Sequence, residues 1–382
     1  FRKVMVDFLY IHIPFCIQKC IYCDFLSEPY DATKAERYIQ ALCRELQTKK
    51  DTATKLEAIY IGGGTPSLLS GKNFDQLQKS MKACFEFSPS IEITVEANPG
   101  AINRQTIDTM LSLGFNRLSI GIQSFNDDEL KTLGRIHTSS DALWTVESVK
   151  AAGLINFSVD LMYGIPGQTV ESWRRTISRA VALSPCHIST YELTPEKGTG
   201  LYPLIKSGGL VPPDEDIILE MYDHAIDHLG LNSFIHYETS NFALPGFESR
   251  HNLNYWNRGE YYGVGAGAHS FVSGVRSENT SDIDLYIKNL ENGISPEASS
   301  IRLTDEDRVR EFIFLGLRKS EGLSIVESER NGIDLAGNCG ELIDEGLMEI
   351  NRGYIRITRK GLPVSNMLIL KLFEKLESVE PG

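Results

Sequence analysis

The chain has 382 residues, 42% of them hydrophobic and 23% charged, which is ordinary for a globular protein and enough for one large domain plus a smaller one. Its formal net charge of −13 argues against broad binding to nucleic acid or anionic membrane, which needs basic surface, so no nucleic-acid partner is expected. No apolar run approaches the roughly 20 residues of a membrane-spanning helix.

The chain starts at Phe1 and not Met, and it already reads as a strand by residue 8. A cytoplasmic location is expected, with an organelle lumen after removal of a transit peptide as the alternative. From residue 8 to about 200, a β-rich run, a polar or glycine-rich turn and a helical stretch recur six times. The β-rich runs are FLYIHIP (8–14), EAIYIGGG (57–64), IEITVEAN (91–98), RLSIGIQS (117–124), NFSVDLMYGIP (156–166) and HISTYELT (187–194). Helical periodicity marks 34–47, 103–114 and 169–183 between them. Such alternation gives parallel strands with right-handed helical crossovers. Polar residues bunched at the strand ends favour a partial (β/α)6 barrel over an open doubly wound sheet, within an α/β fold.

Beyond residue 200 the rhythm changes. GGLVPPDEDI (208–217) is a breaker-rich connection, and 234–275 read as further strands and loops packed on the core. From 303 a helix capped by Thr304 begins, and 341–361 read as a helix followed by two short strands. That order suggests a small winged-helix-like unit. Its acidic stretches ESERNGID and ELIDEG fit a structural or partner-binding wing better than a DNA-binding one. The expected domains are therefore a barrel core at 1–215, a barrel extension at 216–300 and a winged-helix-like C-terminal domain at 301–382.

Three of the seven cysteines, Cys16, Cys20 and Cys23, sit in C-x3-C-x2-C spacing on the loop after the first strand. Three thiolates on a tight loop suit a [4Fe–4S] cluster with one iron left open; zinc, with His12 or a distant residue as fourth ligand, is the alternative. The other four, Cys43, Cys84, Cys186 and Cys339, are scattered singly and read as buried small residues in a reducing compartment. GGGTP (Gly62–Pro66) follows the second strand, without the lysine of a phosphate loop. Glu96 and Gln123 come at the ends of the third and fourth strands, Arg135 in the segment after the fourth, Asp160 within the fifth and Glu192 at the end of the sixth, and in a parallel barrel the strand ends share one face. A ligand suited to that face has an amino group and a carboxylate for the open iron, a ribose for the carboxylates and a sulfonium near the cluster. S-adenosylmethionine has all of these.

The loop CIQKCIYC together with GGGTP resembles the signature of the radical S-adenosylmethionine proteins. YIHIPFCIQKCIYCDF, VEANPG, RLSIGIQSFND, LGRIH and VDLMYGIPGQT narrow the resemblance to the branch of oxygen-independent coproporphyrinogen III oxidase and its haem-chaperone relatives. The resemblance implies cluster ligation by Cys16, Cys20 and Cys23. It implies S-adenosylmethionine contacts from Tyr10, Tyr22, Gly63, Gly64, Thr65, Glu96, Gln123, Arg135 and Asp160. The oxidase carries a further cysteine two residues after the third; this chain has Phe25 there. HNLNYW is similar to the HNxxYW motif of the chaperone members, which implies haem contacts from His251, Tyr255 and Trp256. The expected function is a haem chaperone, with the oxidase as the alternative. Expected partners are haem, a haem-acceptor protein and an electron donor such as flavodoxin or ferredoxin, with a homodimer left open. Of the remaining histidines, His269 reads as a satisfied core residue, and His224 and His228 as a solvated helix face.

Overall fold

A computed structural model describes residues 6–377, so the outer ends of the first and last expected domains, 1–5 and 378–382, lie outside the described residues. The chain opens with β1 (Phe8–Ile13) and a loop whose two stems, β2 (Phe15–Cys16) and β3 (Glu28–Pro29), pair in parallel. Helix α1 (Ala32–Thr48) follows, capped by the Asp31 carboxylate. The unit then repeats as β4 (Asp51–Gly63), α2 (Gly71–Cys84), β5 (Phe85–Ala97), α3 (Arg104–Ser112), β6 (Arg117–Gln123), α4 (Asp127–Thr132), α5 (Ser139–Ala151), β7 (Phe157–Tyr163), α6 (Val170–Ala182) and β8 (His187–Glu192).

These six main strands lie side by side in chain order, each parallel to the next. A doubly wound sheet reverses its strand order partway; this one does not, so it curls one way. Alternation along each strand shows the curl. Ile11, Ile59, Val95, Ile120, Val159 and Ile188 point out to the helices and are buried, while Tyr10, Tyr60, Glu96, Ser119, Asp160 and Ser189 point to the inside.

The segment after β8 adds α7 (Leu201–Lys206), α8 (Glu215–Leu231), β9 (Ile235–Glu238), β10 (Asn241–Ala243), α9 (Arg250–Trp256) and β11 (Tyr262–Val264). Strand β10 runs antiparallel to β8, β9 antiparallel to β10, and β11 parallel to β1. The sheet thus has nine strands with β11 and β9 at its two edges, and the barrel stays open between them. HNLNYW is therefore not loop: it forms α9, capped by the Ser249 hydroxyl on the Asn252 amide. Seven residues with two asparagines carry too little periodicity to announce a helix.

Strands β12 (His269–Val272), β13 (Val275–Asn279) and β14 (Glu297–Arg302) form an antiparallel sheet, with α10 (Ile283–Glu291) between the last two. His269 is exposed on that sheet, 3.9 Å from Glu278, and is not a core histidine.

Helix α11 (Asp305–Gly316) begins at Thr304 with a reciprocal capping box to Asp307, and it stops at Gly316, where Leu323 packs against the glycine. β15 (Leu323–Ser324), α12 (Ile325–Arg330), α13 (Leu335–Asn338), α14 (Gly340–Asp344), the β16 (Met348–Asn351) and β17 (Tyr354–Ile357) hairpin, and α15 (Ser365–Glu377) complete a winged-helix-like unit. Its core, including Ile313, Leu342, Ile355 and Leu368, is separate from that of the barrel.

One buried carboxylate bolts the extension to the barrel. Glu45 of α1, 1% exposed, accepts hydrogen bonds from the Tyr286 hydroxyl (2.6 Å), the Asn279 amide (2.8 Å) and the Gly265 backbone (2.9 Å). Tyr38, two turns earlier on the same face of α1, donates to the His12 carbonyl (2.8 Å) and accepts from the Ala266 amide (2.9 Å). Replacing Glu45 by alanine strands three buried donors, each worth about 1–3 kcal/mol when unsatisfied. Glu45→Ala is therefore expected to lower the urea midpoint by the equivalent of about 3 kcal/mol or more, and Glu45→Gln by less, since the amide oxygen still accepts. A midpoint that does not move in Glu45→Ala contradicts the assignment.

Candidate functional site

The C-terminal ends of the strands surround a cavity of about 460 Å³, within the roughly 300–1,000 Å³ of small-molecule sites. Cys16, Cys20 and Cys23 line one side of it, Cys16 at the end of β2 and the other two on the loop between β2 and β3. That loop is pinned at both ends and in the middle. The Tyr30 amide donates to the Cys16 carbonyl (2.8 Å), the Ile21 amide to the Leu133 carbonyl (3.3 Å), and the Leu201 amide to the Ile21 carbonyl (2.7 Å). All three thiols are free. Thr65 Oγ1 donates to Cys16 Sγ and Arg135 Nη1 to Cys20 Sγ, each at 3.5 Å. Burial pushes the Cys23 thiol up to about 11, so in the metal-free protein it stays protonated at neutral pH.

Among the described residues, no three His, Cys, Asp or Glu side chains converge on a single ion. A cubane cluster asks for something different, one thiolate on each of three irons. His12 does not serve as a fourth ligand. Its Nε2 donates to the Leu26 carbonyl (2.9 Å), which leaves Nδ1 as acceptor for the Tyr10 hydroxyl (2.9 Å). Both nitrogens are occupied and burial lowers the ring's pKa, so His12 is a neutral brace under the loop. The donor set fits a three-thiolate cluster and not the zinc alternative.

The GGGTP turn is built for close approach. Gly63 has φ +112° and a Cβ there would meet the His12 ring at 2.5 Å; a Cβ on Gly64 would meet the Phe15 carbonyl at 2.7 Å. The Gly64 and Thr65 amides donate to the carbonyls of Ile13 (2.9 Å) and Phe15 (2.7 Å), so the turn clasps the stem of the cysteine loop.

Opposite the cysteines sit two carboxylates. Glu96 accepts from the Tyr60 hydroxyl (2.8 Å) and the Gly63 amide (3.0 Å). Burial, reinforced by Asp160, pushes Glu96 up to about 7 against those two hydrogen bonds. Asp160 is held by three hydroxyls, Ser119 (2.8 Å), Ser189 (2.8 Å) and Ser158 (3.1 Å); burial still raises its pKa. Arg135 lies across from them, donating to the Gly121 carbonyl (2.5 Å) and the Tyr22 hydroxyl (3.5 Å). Burial opposes its charge, but Tyr22 and Cys20 outweigh that and raise its pKa.

Two buried polar atoms beside the cavity have no protein partner, Gln123 Oε1 and Arg135 Nε. Gln123 also holds φ +68°, where a non-glycine residue costs about 1–3 kcal/mol, at a bulge between β6 and β7. Unpaired polar atoms and a strained backbone on one wall fit a polar ligand that the wall is shaped to receive.

Of the nine residues expected to contact S-adenosylmethionine, eight line this cavity: Tyr22, Gly63, Gly64, Thr65, Glu96, Gln123, Arg135 and Asp160. Tyr10 does not; it lies beside Tyr60 on the neighbouring strand, with its hydroxyl turned to His12. The floor itself is Tyr60, which no motif singled out, and Ser119, Tyr191, Glu192 and Glu196 complete the wall. Period-two alternation from Glu96 and Asp160 along their neighbouring strands would have reached Tyr60, Ser119, Ser158 and Ser189.

The second set of expected residues is elsewhere. Helix α9 closes the opposite end of the barrel, where the Arg250 amide donates to Glu92 (3.2 Å) and its guanidinium to the Ser90 carbonyl (2.9 Å). His251 points up into the barrel and is 1% exposed. Its ring stacks on Tyr60 at 5.2 Å between centroids, lies 6.2 Å from Tyr10, and shares a 2.8 Å hydrogen bond with the Tyr255 hydroxyl. Burial lowers His251 to about 3, so the imidazole is neutral, and its Nδ1 has no partner. Tyr255 continues the contact to Tyr261 (4.7 Å), and Trp256 keeps its indole N–H unpaired. His224 and His228 pack ring to ring at 5.3 Å with no third ligand among the described residues.

Comparison with known proteins agrees with this architecture. The family model "Radical SAM superfamily" matches residues 10–180, and "HemN C-terminal domain" matches 303–364. Heme chaperone HemW of Lactococcus lactis is 37% identical over 96% of both chains. Heme chaperone HemW of Escherichia coli is 41% identical over 69% of this chain and 70% of its own. The mitochondrial radical S-adenosyl methionine domain-containing protein 1 of Bos taurus is 32% identical over 97% of this chain and 88% of its own. The solved coproporphyrinogen III oxidase HemN of Escherichia coli superposes with a TM-score of 0.84 at 22% identity, covering 97% of this chain and 91% of that one; this likeness shows the shared fold. The chain belongs to the radical SAM superfamily, in the branch of the HemW heme chaperones.

Proposed function

We propose that the protein is a haem chaperone that binds haem and passes it to an acceptor protein, and that its barrel mouth holds a [4Fe–4S] cluster and S-adenosylmethionine. The observation that carries this reading is the pairing of an intact HNLNYW helix with Phe25 where the oxidase has its extra cysteine. Phe25 is 62% exposed at the rim of the cavity and offers no thiol. The agreement over nearly the full chain with HemW relatives supports the same reading.

Cys16, Cys20 and Cys23 hold the cluster. Once reduced by a donor such as flavodoxin or ferredoxin, a cluster held there would supply one electron to the sulfonium of S-adenosylmethionine. The chain's own residues bind and orient. Arg135 suits the ligand carboxylate through its planar fork, while Glu96 and Asp160 accept from the ligand's hydroxyl and amino donors. Tyr60 and the enclosing strands keep water from the reacting bond.

Haem is held by His251, with Tyr255 and Trp256 against the macrocycle. For the imidazole to reach iron it must leave the Tyr60 stack, because only 1% of the residue is exposed while α9 closes the barrel. A reducing compartment suits a chain whose seven cysteines are all free.

Anaerobic reconstitution of Cys16→Ser, Cys20→Ser or Cys23→Ser is expected to abolish the iron–sulfur absorbance band. A full band in any of the three removes that residue from the ligand set. His251→Ala is expected to lose haem affinity by tenfold or more while keeping the cluster, since losing a ligand exceeds the roughly 10–100-fold cost of losing an outer partner. Incubated with S-adenosylmethionine, reductant and coproporphyrinogen III, the protein is expected to form no protoporphyrinogen. Its formation would establish the oxidase instead.

A further inference from the structure

Two routes join the ligand pocket to the helix that carries His251, and both run through residues that no motif marks. The first is Tyr60. Its hydroxyl donates to Glu96 (2.8 Å) at the pocket, and the underside of the same ring carries His251 (5.2 Å between centroids, 26° between planes). One aromatic ring is at once the floor of the pocket and the roof over the imidazole.

The second route is a hydrogen-bond chain whose direction follows from counting protons. The Ser158 hydroxyl gives its only proton to the acceptor-only carboxylate of Asp160 (3.1 Å). The His187 Nδ1 contact to Ser158 Oγ (2.8 Å) must then be an N–H donation. Neutral His187 carries its single proton on Nδ1, so Nε2 accepts from the Tyr237 hydroxyl (2.8 Å). Tyr237 in turn accepts from the Ser249 backbone amide (3.3 Å), and Ser249 is the cap of α9. The chain therefore runs in one sense from the cap of α9 to Asp160. His187 and Ser249 are each 1% exposed, so no water competes freely for these groups.

We propose that Tyr60 and His187 are positioning residues, holding Glu96 and Asp160 for the adenosyl ligand while α9 holds them, so that pocket occupancy and release of His251 oppose each other. This rests on the assignment of S-adenosylmethionine to the pocket and haem to His251. Withdrawing α9 takes the support from the lower face of Tyr60 and the Ser249 amide from Tyr237. Both carboxylates then lose orientation, and a ligand that needs them binds less tightly. The same linkage makes the ligand favour the closed helix and so weaken haem binding by an equal factor.

The Glu96 carboxylate also offers a readout that a general packing defect would not give. It is faced by Tyr10 of β1, Tyr60 of β4, Asp160 of β7 and Tyr191 of β8; Ser119 and Gly121 of β6 bring no charge to it. Its proton is lost near pH 7, and the Tyr60 hydroxyl favours the ionised form. Ligand binding through the ionised carboxylate should weaken as pH falls through that range. Removing the hydroxyl raises the carboxyl's pKa and moves the midpoint to higher pH.

The test is equilibrium dialysis of S-adenosylmethionine against cluster-reconstituted full-length protein across neutral pH, haem-free and haem-loaded, for wild type, Tyr60→Phe and His187→Gln. Haem-free Tyr60→Phe is expected to shift the binding midpoint upward by on the order of half a unit to one unit. In wild type, haem is expected to weaken S-adenosylmethionine binding by about fivefold or more, and in both variants that factor should fall towards one. Tyr60→Phe decides the matter because it removes one oxygen and keeps the ring. An affinity lowered equally at every pH, with no midpoint shift, overturns the positioning role. A haem effect that is absent in wild type, or unchanged in the variants, overturns the coupling. If wild type retains no haem, the chaperone reading fails on its own, and the haem-free pH series still decides the role of Tyr60.

Discussion

Two carboxylates, Glu96 and Asp160, stand beside each other inside a barrel, and most of the inward side chains around them answer that fact. A buried carboxylate without partners costs several kcal/mol, and a second one nearby adds repulsion. Asp160 is relieved by three serine hydroxyls drawn from β6, β7 and β8. Glu96 has a tyrosine hydroxyl and one backbone amide, a thinner supply, and its pKa sits near 7 as a result. The asymmetry leaves Glu96 poised between protonated and ionised forms, while Asp160 keeps three donors.

The rest of the molecule holds this interior in register. Serines at alternate positions on three adjacent strands can meet one carboxylate only if the strands keep their parallel register, and the outward Ile, Val and Leu residues fix that register against the helices. The cysteine loop depends on the same scaffold from the other side. Its stem is clasped by the GGGTP turn, its centre is tied to Leu133 and Leu201, and His12 braces it from below. Glu45 and Tyr38 carry the constraint outward, fastening the C-terminal extension to α1 and β1. A change at Glu45 is therefore felt through Tyr38 and His12, even though Glu45 never approaches the ligand cavity.

What the sequence made legible follows from how local each signal is. Cys16, Cys20 and Cys23 lie within eight residues, and GGGTP within five, so their spacing alone locates one wall of the site. Glu96 and Gln123 were legible because a polar residue at the end of an apolar strand is conspicuous, and Asp160 and Arg135 because a charged residue stands out within an apolar strand or in the segment after one. Tyr60, Ser119, Ser158, Ser189 and His187 were not. They lie within strands, His187 at the start of β8, where both faces are buried, and a strand with two buried faces does not say which of its residues look inward. The placement of HNLNYW was also hidden. Its motif was plain, but helix α9 is short, and only the tertiary fold shows that it closes the end of the barrel away from the cysteines. Tyr10 is a different case: family resemblance implies a ligand contact, and in this structure its hydroxyl is bonded to His12 Nδ1.

The burial of His251 bears on how the proposed haem binding would work. On the chaperone reading, the binding-competent form is the one with α9 withdrawn, and apparent affinity is reduced by whatever fraction of molecules is open. Every 1.4 kcal/mol that holds α9 closed weakens haem binding about tenfold. The helix is held by the Tyr60 stack, by the Arg250 contacts to β5 and by the Ser249 amide on Tyr237, so the cost of opening is substantial. A storage or electron-transfer protein gains nothing from such a penalty, because it needs its haem to stay. A carrier does gain, since it must surrender its cargo to an acceptor of higher affinity. Closing α9 supplies a favourable state for the empty protein to return to. On the chaperone reading, the buried imidazole, which looks at first like an argument against haem binding, is the feature that would keep binding reversible.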